Sequence, residues 1–255
     1  MKHQELDIII LGSGTCIPTR HRGPSGIVLK SNDVLLLIDG GSGTLSRMTS
    51  ADIDYKSLQY IFYSHLHPDH CIELIPLLQA LKVSPPTNPH HELHIVGPPG
   101  FLDFINNLER TFGTWIKNSS GFVKYYEAFN TSNTYDFGIV VTKPMNHSSY
   151  SNGYRFEING KTIAYSGDTD YCQEIIDLGR KADILILECS LPDDEKIDGH
   201  LGPSLAGKIA QQAGCDHLIL THFYPSIENV DIISIVQHYY TGDISLAFDG
   251  ITIKL

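Results

Sequence analysis

No run of apolar side chains in this 255-residue sequence is long enough to span a bilayer, so no membrane partner is expected. Cysteine is sparse. Cys16, Cys71, Cys172, Cys189 and Cys215 are odd in number, dispersed and never spaced Cys-x-x-Cys. That pattern argues against a disulfide framework and fits a reducing compartment. Positive charge is also short, with 18 Lys and Arg against 29 Asp and Glu and a formal net charge of −11. An acidic surface repels polyanions at long range, so a broad grip on nucleic acid is not expected. Bound divalent ions would reverse the sign locally and admit a small anionic substrate. There is no block of like charge, no low-complexity segment, no exact repeat and no linker, and the polar stretch Met1–Asp7 carries no apolar signal segment. The expectation is one cytoplasmic domain over residues 1–255, with 42% hydrophobic residues to build its core.

Strands and helices alternate along the chain. Asp7–Leu11 reads as a buried strand running into Gly12-Ser13-Gly14, and Gly26–Ser31 with Val34–Ile38 reads as a hairpin around Asn32-Asp33. Tyr60–Tyr63 and Leu93–Val96 are short strands. Leu74, Leu77, Leu78 and Leu81 give Cys71–Lys82 a helical stripe that Pro85-Pro86 ends, and Phe101, Phe104, Ile105, Leu108 and Phe112 mark a second amphipathic helix. Further strands are expected at Gly138–Lys143, Tyr154–Ile158, Thr162–Tyr165, Ile184–Leu187 and Leu218–Thr221, with the turn Asn159-Gly160 joining the second and third. Helices are expected at Gln173–Arg180, at Ser204–Ala213 with Ser204 as its cap, and at Val230–Tyr240. Two short strands around Asp249-Gly250 close the chain. Two sheets with helices on their outer faces fit this order.

The strongest chemical signal is Ser64-His65-Leu66-His67-Pro68-Asp69-His70, where a strand ends and a helix begins. Four ligand-type side chains within six residues can converge on one point, and imidazole with carboxylate suits zinc as well as manganese or iron. His65 and His67 alternate and can point the same way, while Asp69 and His70 face a slightly different direction, as a second ion would need. His147, Asp168 and His222 each follow an apolar strand, and strand ends are where α/β folds place their sites. A single histidine of this kind is more often a structural hydrogen-bonding group; the ordered set carries the argument.

That order, His-x-His-x-Asp-His, a lone His, an Asp after Ser-Gly and a final His after a strand, resembles the metallo-β-lactamase superfamily. Asp39 in Leu-Ile-Asp-Gly-Gly matches the family's first motif. The resemblance implies a four-layer αββα sandwich with a dinuclear site along the edge between the sheets. It implies that His65, His67 and His147 bind one ion, that Asp69, His70 and His222 bind a second, and that Asp168 bridges them. Asp39 would orient a ligand or lie beside the bridging water. Two divalent ions are the implied cofactors, zinc first. A metal-bridging hydroxide would attack in line, with Asp69 or Asp168 accepting the water proton. Several β-lactamases carry Cys where this chain has Asp168, which argues against β-lactam hydrolysis.

Leu11-Gly-Ser-Gly-Thr-Cys-Ile-Pro-Thr19, Asp39-Gly-Gly-Ser-Gly-Thr44 and Leu187-Glu-Cys-Ser190 followed by Gly199-His-Leu201 are similar to ribonuclease Z. In that branch a Glu and a His at the places of Glu188 and His200 assist catalysis, the His protonating a leaving oxygen or steadying a phosphoryl oxygen. Ribonuclease Z carries a long tRNA-binding arm between the motifs of His147 and Asp168. Here the interval holds only a hairpin. The expectation is therefore an armless relative, a phosphodiesterase acting on small anionic esters. A ribonuclease Z-type tRNA 3′ endonuclease and a non-catalytic metal-binding sensor or scaffold are the alternatives, and a di-iron redox site is weaker. RNA is the less favoured substrate and a homodimer is open. Arg20, His21 and Arg22 read as a solvated loop that can reach a phosphate. Tyr224 and Pro225 either line the pocket or end a strand, and Cys71 is a small buried thiol. His90, His91 and His94 read as surface loop, and Trp115, Phe112 and Phe122 as packing after the second helix, with a lid over the site as the alternative.

Overall fold

The structure, a computed structural model, describes residues 5–31, 34–88, 90–117 and 121–255. The turn expected at Asn32-Asp33, and Pro89, lie outside the described residues. Two seven-stranded sheets face each other. The first runs β14-β1-β2-β3-β4-β5-β6, with β1 Asp7–Gly12, β2 Gly26–Lys30, β3 Leu35–Ile38, β4 Tyr60–Phe62, β5 Leu93–Gly97, β6 Val123–Glu127 and β14 Thr252–Lys254. The second runs β13-β12-β11-β10-β9-β8-β7, with β7 Ser132–Tyr135, β8 Gly138–Pro144, β9 Asn152–Ile158, β10 Lys161–Tyr165, β11 Ile184–Glu188, β12 His217–Thr221 and β13 Asp243–Leu246. The helices are α1 Thr44–Ser50, α2 Pro68–Cys71, α3 Leu74–Val83, α4 Phe101–Phe112, α5 Gln173–Gly179, α6 Pro203–Ala213 and α7 Ile232–Gln237.

The continuous apolar run of β1 follows from burial on both faces. Ile8 and Ile10 join a core between the sheets with Phe62, Phe156 and Tyr165, whereas Ile9 and Leu11 pack with Leu74, Leu78 and Phe101 under α3 and α4. Helices α5, α6 and α7 bury Ile175, Ile209 and Val236 in the core of the second sheet. This is a four-layer αββα sandwich. β3, β4 and β5 are parallel, as are β10, β11 and β12, so several carboxyl ends open on one edge.

Three of the expected helices differ in the structure. The helix expected over Cys71–Lys82 breaks into α2 and α3 at Ile72-Glu73. The Gly40 amide donates to the His70 carbonyl, the Glu73 amide donates to the Gly40 carbonyl, and the Glu73 carboxylate accepts the amides of Gly43 and Leu45 at the start of α1. Ser204 does not cap α6, which starts at Pro203; its amide and hydroxyl are held by Asp193 from the preceding loop. The helix expected over Val230–Tyr240 is confined to Ile232–Gln237, with Asp231 accepting the Ser234 amide.

Candidate metal centre

Asp39 ends β3 with a left-handed backbone (φ 55°), and Gly40-Gly41 then lets α2 approach. A Cβ on Gly41 would stand 2.2 Å from the Asp69 carbonyl oxygen, so glycine is required for α2 to lie where it does. His65 and His67 follow β4, His67 in extended backbone, and Pro68 starts α2, which turns Asp69 and His70 back toward them. His147 follows β8, Asp168 follows β10, His200 lies in the loop after β11, and His222 follows β12 with φ 61°.

These side chains converge. Donor atoms of His65, His67, His147 and Asp168 lie within 4.8 Å of one another, as do those of Asp69, His70 and His222, and those of Asp168, His200 and His222. Asp168 joins the groups: its Oδ2 is 3.7 Å from the Nε2 of both His65 and His147, and its Oδ1 is 3.2 Å and 3.3 Å from the Nε2 of His70 and His222. The Asp69 carboxylate is 3.9 Å from His70 and 3.7 Å from His222.

Outer hydrogen bonds fix how the rings present themselves. Asp39, fully buried, accepts from the Ser64 amide (2.7 Å), the Ser64 hydroxyl (2.8 Å), His70 Nδ1 (2.8 Å) and the Tyr165 hydroxyl (2.7 Å). Ser64 Oγ in turn lies 3.0 Å from His65 Nδ1. Glu188, also buried, accepts from the Thr169 amide (2.6 Å), the Leu201 amide (3.0 Å), the Ser190 hydroxyl (2.5 Å) and His200 Nδ1 (3.1 Å). Ser190 Oγ lies 2.9 Å from His222 Nδ1, and His147 Nδ1 donates to the Gly199 carbonyl at 2.9 Å. Each hydroxyl proton goes to a carboxylate, so each hydroxyl oxygen accepts the ring proton. His65, His70, His147 and His222 therefore carry hydrogen on Nδ1 and turn Nε2 inward, as metal-ligating imidazoles do.

The inward atoms fit divalent ions. His65 Nε2 is buried without a hydrogen-bond partner, and Asp168 Oδ1 meets neither nearby imidazole in hydrogen-bond geometry. His70 and His222 bring their Nε2 atoms within 3.2 Å, an approach that a proton on His70 or a bound cation would bridge. Buried polar atoms left unpaired cost about 1–3 kcal/mol each. Mixed imidazole and carboxylate donors accept zinc, manganese or iron.

The model of the beta-lactamase superfamily domain matches residues 36–223. The chain belongs to this family. It is 27% identical to ribonuclease Z of Methanosarcina mazei, over 85% of this chain and 87% of that one. Among solved structures, the metallo-beta-lactamase fold protein YhfI from Bacillus subtilis superposes with a TM-score of 0.85 at 23% identity, covering 99% of this chain and 100% of that one. Human tRNase Z, short form, superposes with a TM-score of 0.79 at 24% identity, covering 97% and 98%.

In this superfamily domain the charges at the site oppose one another. Burial drives the pKa of His65 well below its ordinary value and that of His67 down, with neighbouring imidazoles adding to both. At His70 burial has the same sense, but Asp168 and Asp39 outweigh it and hold the pKa well above the ordinary value. Asp168 mirrors this. Burial would raise it, and His222 and His70 instead hold it well below the usual carboxylate range. His200 is raised because the hydrogen bond and charge of Glu188 outweigh burial.

Other sequence candidates fall outside the cluster. Arg22 is committed to structure: its guanidinium donates to Ser13 Oγ and the Ala247 carbonyl, pairs with Glu228 and covers Phe223. Arg20 and His21 are exposed. His94 stacks on Tyr60 and Tyr126. Tyr224 lines the centre, its ring 6.1 Å from His200 and 6.0 Å from His222. Cys71 is a buried thiol with a pKa pushed up to about 12 by that burial. Phe122 packs against the outer core, but Trp115 is 65% exposed and Phe112 is exposed as well. The helical stripe that packs α4 ends before them. Sequence reasoning gave no role to Ser64, Ser190, Tyr165 or the Gly199 carbonyl, although Ser64 adjoins His65 and Ser190 stands two residues after Glu188.

Proposed function

We propose that this chain is a dinuclear metal-dependent hydrolase, a phosphodiesterase acting on small anionic esters. The observation that carries the reading is Asp168, whose two oxygens each approach a different pair of inward-facing imidazoles. His65, His67 and His147 would hold one ion, Asp69, His70 and His222 the other, and Asp168 both. When bound, divalent ions lower the pKa of water to about 7 and polarise a phosphoryl oxygen. Asp69, at the rim of the cluster and held in its charged form by His222 and His70 against the pull of burial, accepts the proton of the attacking water. His200, its Nδ1 pinned by Glu188 and its pKa raised, donates a proton from Nε2 to the leaving oxygen. Asp39 keeps His70, and through Ser64 also His65, facing inward.

Small substrates are favoured by the net charge of −11 and by the short interval between His147 and Asp168, which β9 and β10 fill as a hairpin. The protein would work in a reducing cytoplasm, consistent with five free cysteines. No helix among the described residues is long and apolar enough to cross a membrane.

The likeness to ribonuclease Z of Methanosarcina mazei favours a second reading, cleavage of precursor tRNA at its 3′ end. The experiment is hydrolysis of bis(p-nitrophenyl) phosphate by metal-stripped protein reloaded with zinc or manganese, beside precursor tRNA as a second substrate. Metal-dependent phosphodiester turnover, lost by at least about 10³-fold in Asp168→Ala, is expected. Efficient cleavage of precursor tRNA would replace the small-ester reading, and absence of turnover on both with metal bound would overturn the phosphodiesterase assignment.

A further inference from the structure

The two buried carboxylates hold imidazoles by the same device. Asp39 accepts a hydrogen bond from His70 Nδ1 directly and reaches His65 through the Ser64 hydroxyl. Glu188 accepts a hydrogen bond from His200 Nδ1 directly and reaches His222 through the Ser190 hydroxyl. Both serines are fully buried. A hydroxyl has one proton. At Ser190 it lies along the 2.5 Å contact to Glu188 Oε2, so the oxygen accepts the Nδ1 hydrogen of His222 and leaves His222 Nε2 a lone pair. The same bookkeeping at Ser64 leaves His65 Nε2 a lone pair, the atom found buried and unpartnered.

We propose that Ser190 is a positioning residue that couples the metal-facing ring of His222 to the Glu188–His200 pair, as Ser64 couples His65 to the Asp39–His70 pair. The inference rests on the dinuclear reading above. It adds that one carboxylate sets both an ion's ligand and the residue that protonates the leaving group. Losing the Ser190 hydroxyl leaves His222 free to turn or to move its proton to Nε2, where it blocks metal. His200 keeps its own bond to Glu188. The Ser64 hydroxyl acts on the other group of donors, so the two serines govern different ions.

The test is stepwise metal affinity, measured by chelator competition with zinc, for the wild type, Ser190→Ala, Ser64→Ala and Ser190→Thr, with melting temperature alongside. Each alanine variant should weaken one ion by about 10- to 100-fold and leave the other within about threefold, a different ion in each case. Ser190→Thr, which keeps the hydroxyl, should retain the affinity lost in Ser190→Ala. A merely structural serine would lower the melting temperature without choosing between ions. Imidazole ¹⁵N spectra of the zinc-loaded wild type need no variant, and they should show His222 and His65 protonated at Nδ1. Either ring protonated at Nε2, or unchanged affinities in both alanine variants, would overturn the proposal. A wild type that binds fewer than two ions would instead overturn the dinuclear reading.

Discussion

Asp39 just after β3 and Glu188 at the end of β11 stand at strand ends in different sheets, each buried and each accepting four hydrogen bonds. They differ in what they align. The imidazoles served by Asp39 come from one turn, His65 to His70, and both face the candidate ions. Those served by Glu188 come from separate loops, and the proposed function assigns only His222 to an ion, while His200 has a raised pKa. On the dinuclear reading the first sheet would build a local metal cradle, and the second would tie metal holding to proton transfer. Damage on the Asp39 side should therefore appear in metal content and stability, and damage on the Glu188 side both in affinity for the ion at His222 and, through His200, in turnover.

The largest expected effect is on the second side. His200→Ala should lower kcat by about 10²- to 10⁴-fold with metal content unchanged, read by steady-state kinetics beside elemental analysis. Loss of both ions in that variant would erase the distinction between the sheets. Next comes Asp39→Ala, which strands the Ser64 amide, His70 Nδ1 and the Tyr165 hydroxyl in the core. It should cost about 3 kcal/mol in urea unfolding and weaken metal binding about 10- to 100-fold.

A pH series sharpens the contrast with a smaller effect. In the metal-free protein His70 has a raised pKa, so its stabilising contribution is full below about 6.5, its unfolded value, and is lost as pH rises through the higher folded value. Asp168 has a lowered pKa, so its contribution is present above its ordinary value of 3.8 and is lost as pH falls through the lower folded value. Melting curves of stripped protein should thus decline on both sides. Metal affinity should strengthen with rising pH, by up to about tenfold per unit, while His70 surrenders its proton. The smallest effect is expected at Trp115→Ser, far along the chain from either carboxylate and exposed, which should shift stability by no more than about 0.5 kcal/mol.

What the sequence disclosed follows from how local each feature is. His65, His67, Asp69 and His70 are neighbours on one strand-to-helix turn, so residue type and spacing sufficed to find them. The apolar runs of β1, β11 and β12 are buried on both faces and were equally plain. β7 was not found, because Ser132, Asn133 and Thr134 are exposed on an edge strand and carry no apolar alternation. Nor was α1, whose polar sequence is helical partly because Glu73, some thirty residues on, satisfies its first amides. The roles of Ser64 and Ser190 were hidden for a related reason. Ser64 meets a carboxylate 25 positions away and Ser190 meets an imidazole 32 positions away, and only the packed sheets bring them together.

Asp39 and His222 both adopt left-handed backbone at strand ends, with φ of 55° and 61°. For residues with a Cβ that conformation costs roughly 1–2 kcal/mol each, and glycine would remove the steric strain. At Asp39 the four hydrogen bonds that the carboxylate accepts outweigh that strain, so glycine there would destabilise as well as disable, whereas at His222 glycine would relieve strain and forfeit the centre. In any search for thermostable variants, His222 is therefore the position where a gain in melting temperature should be distrusted.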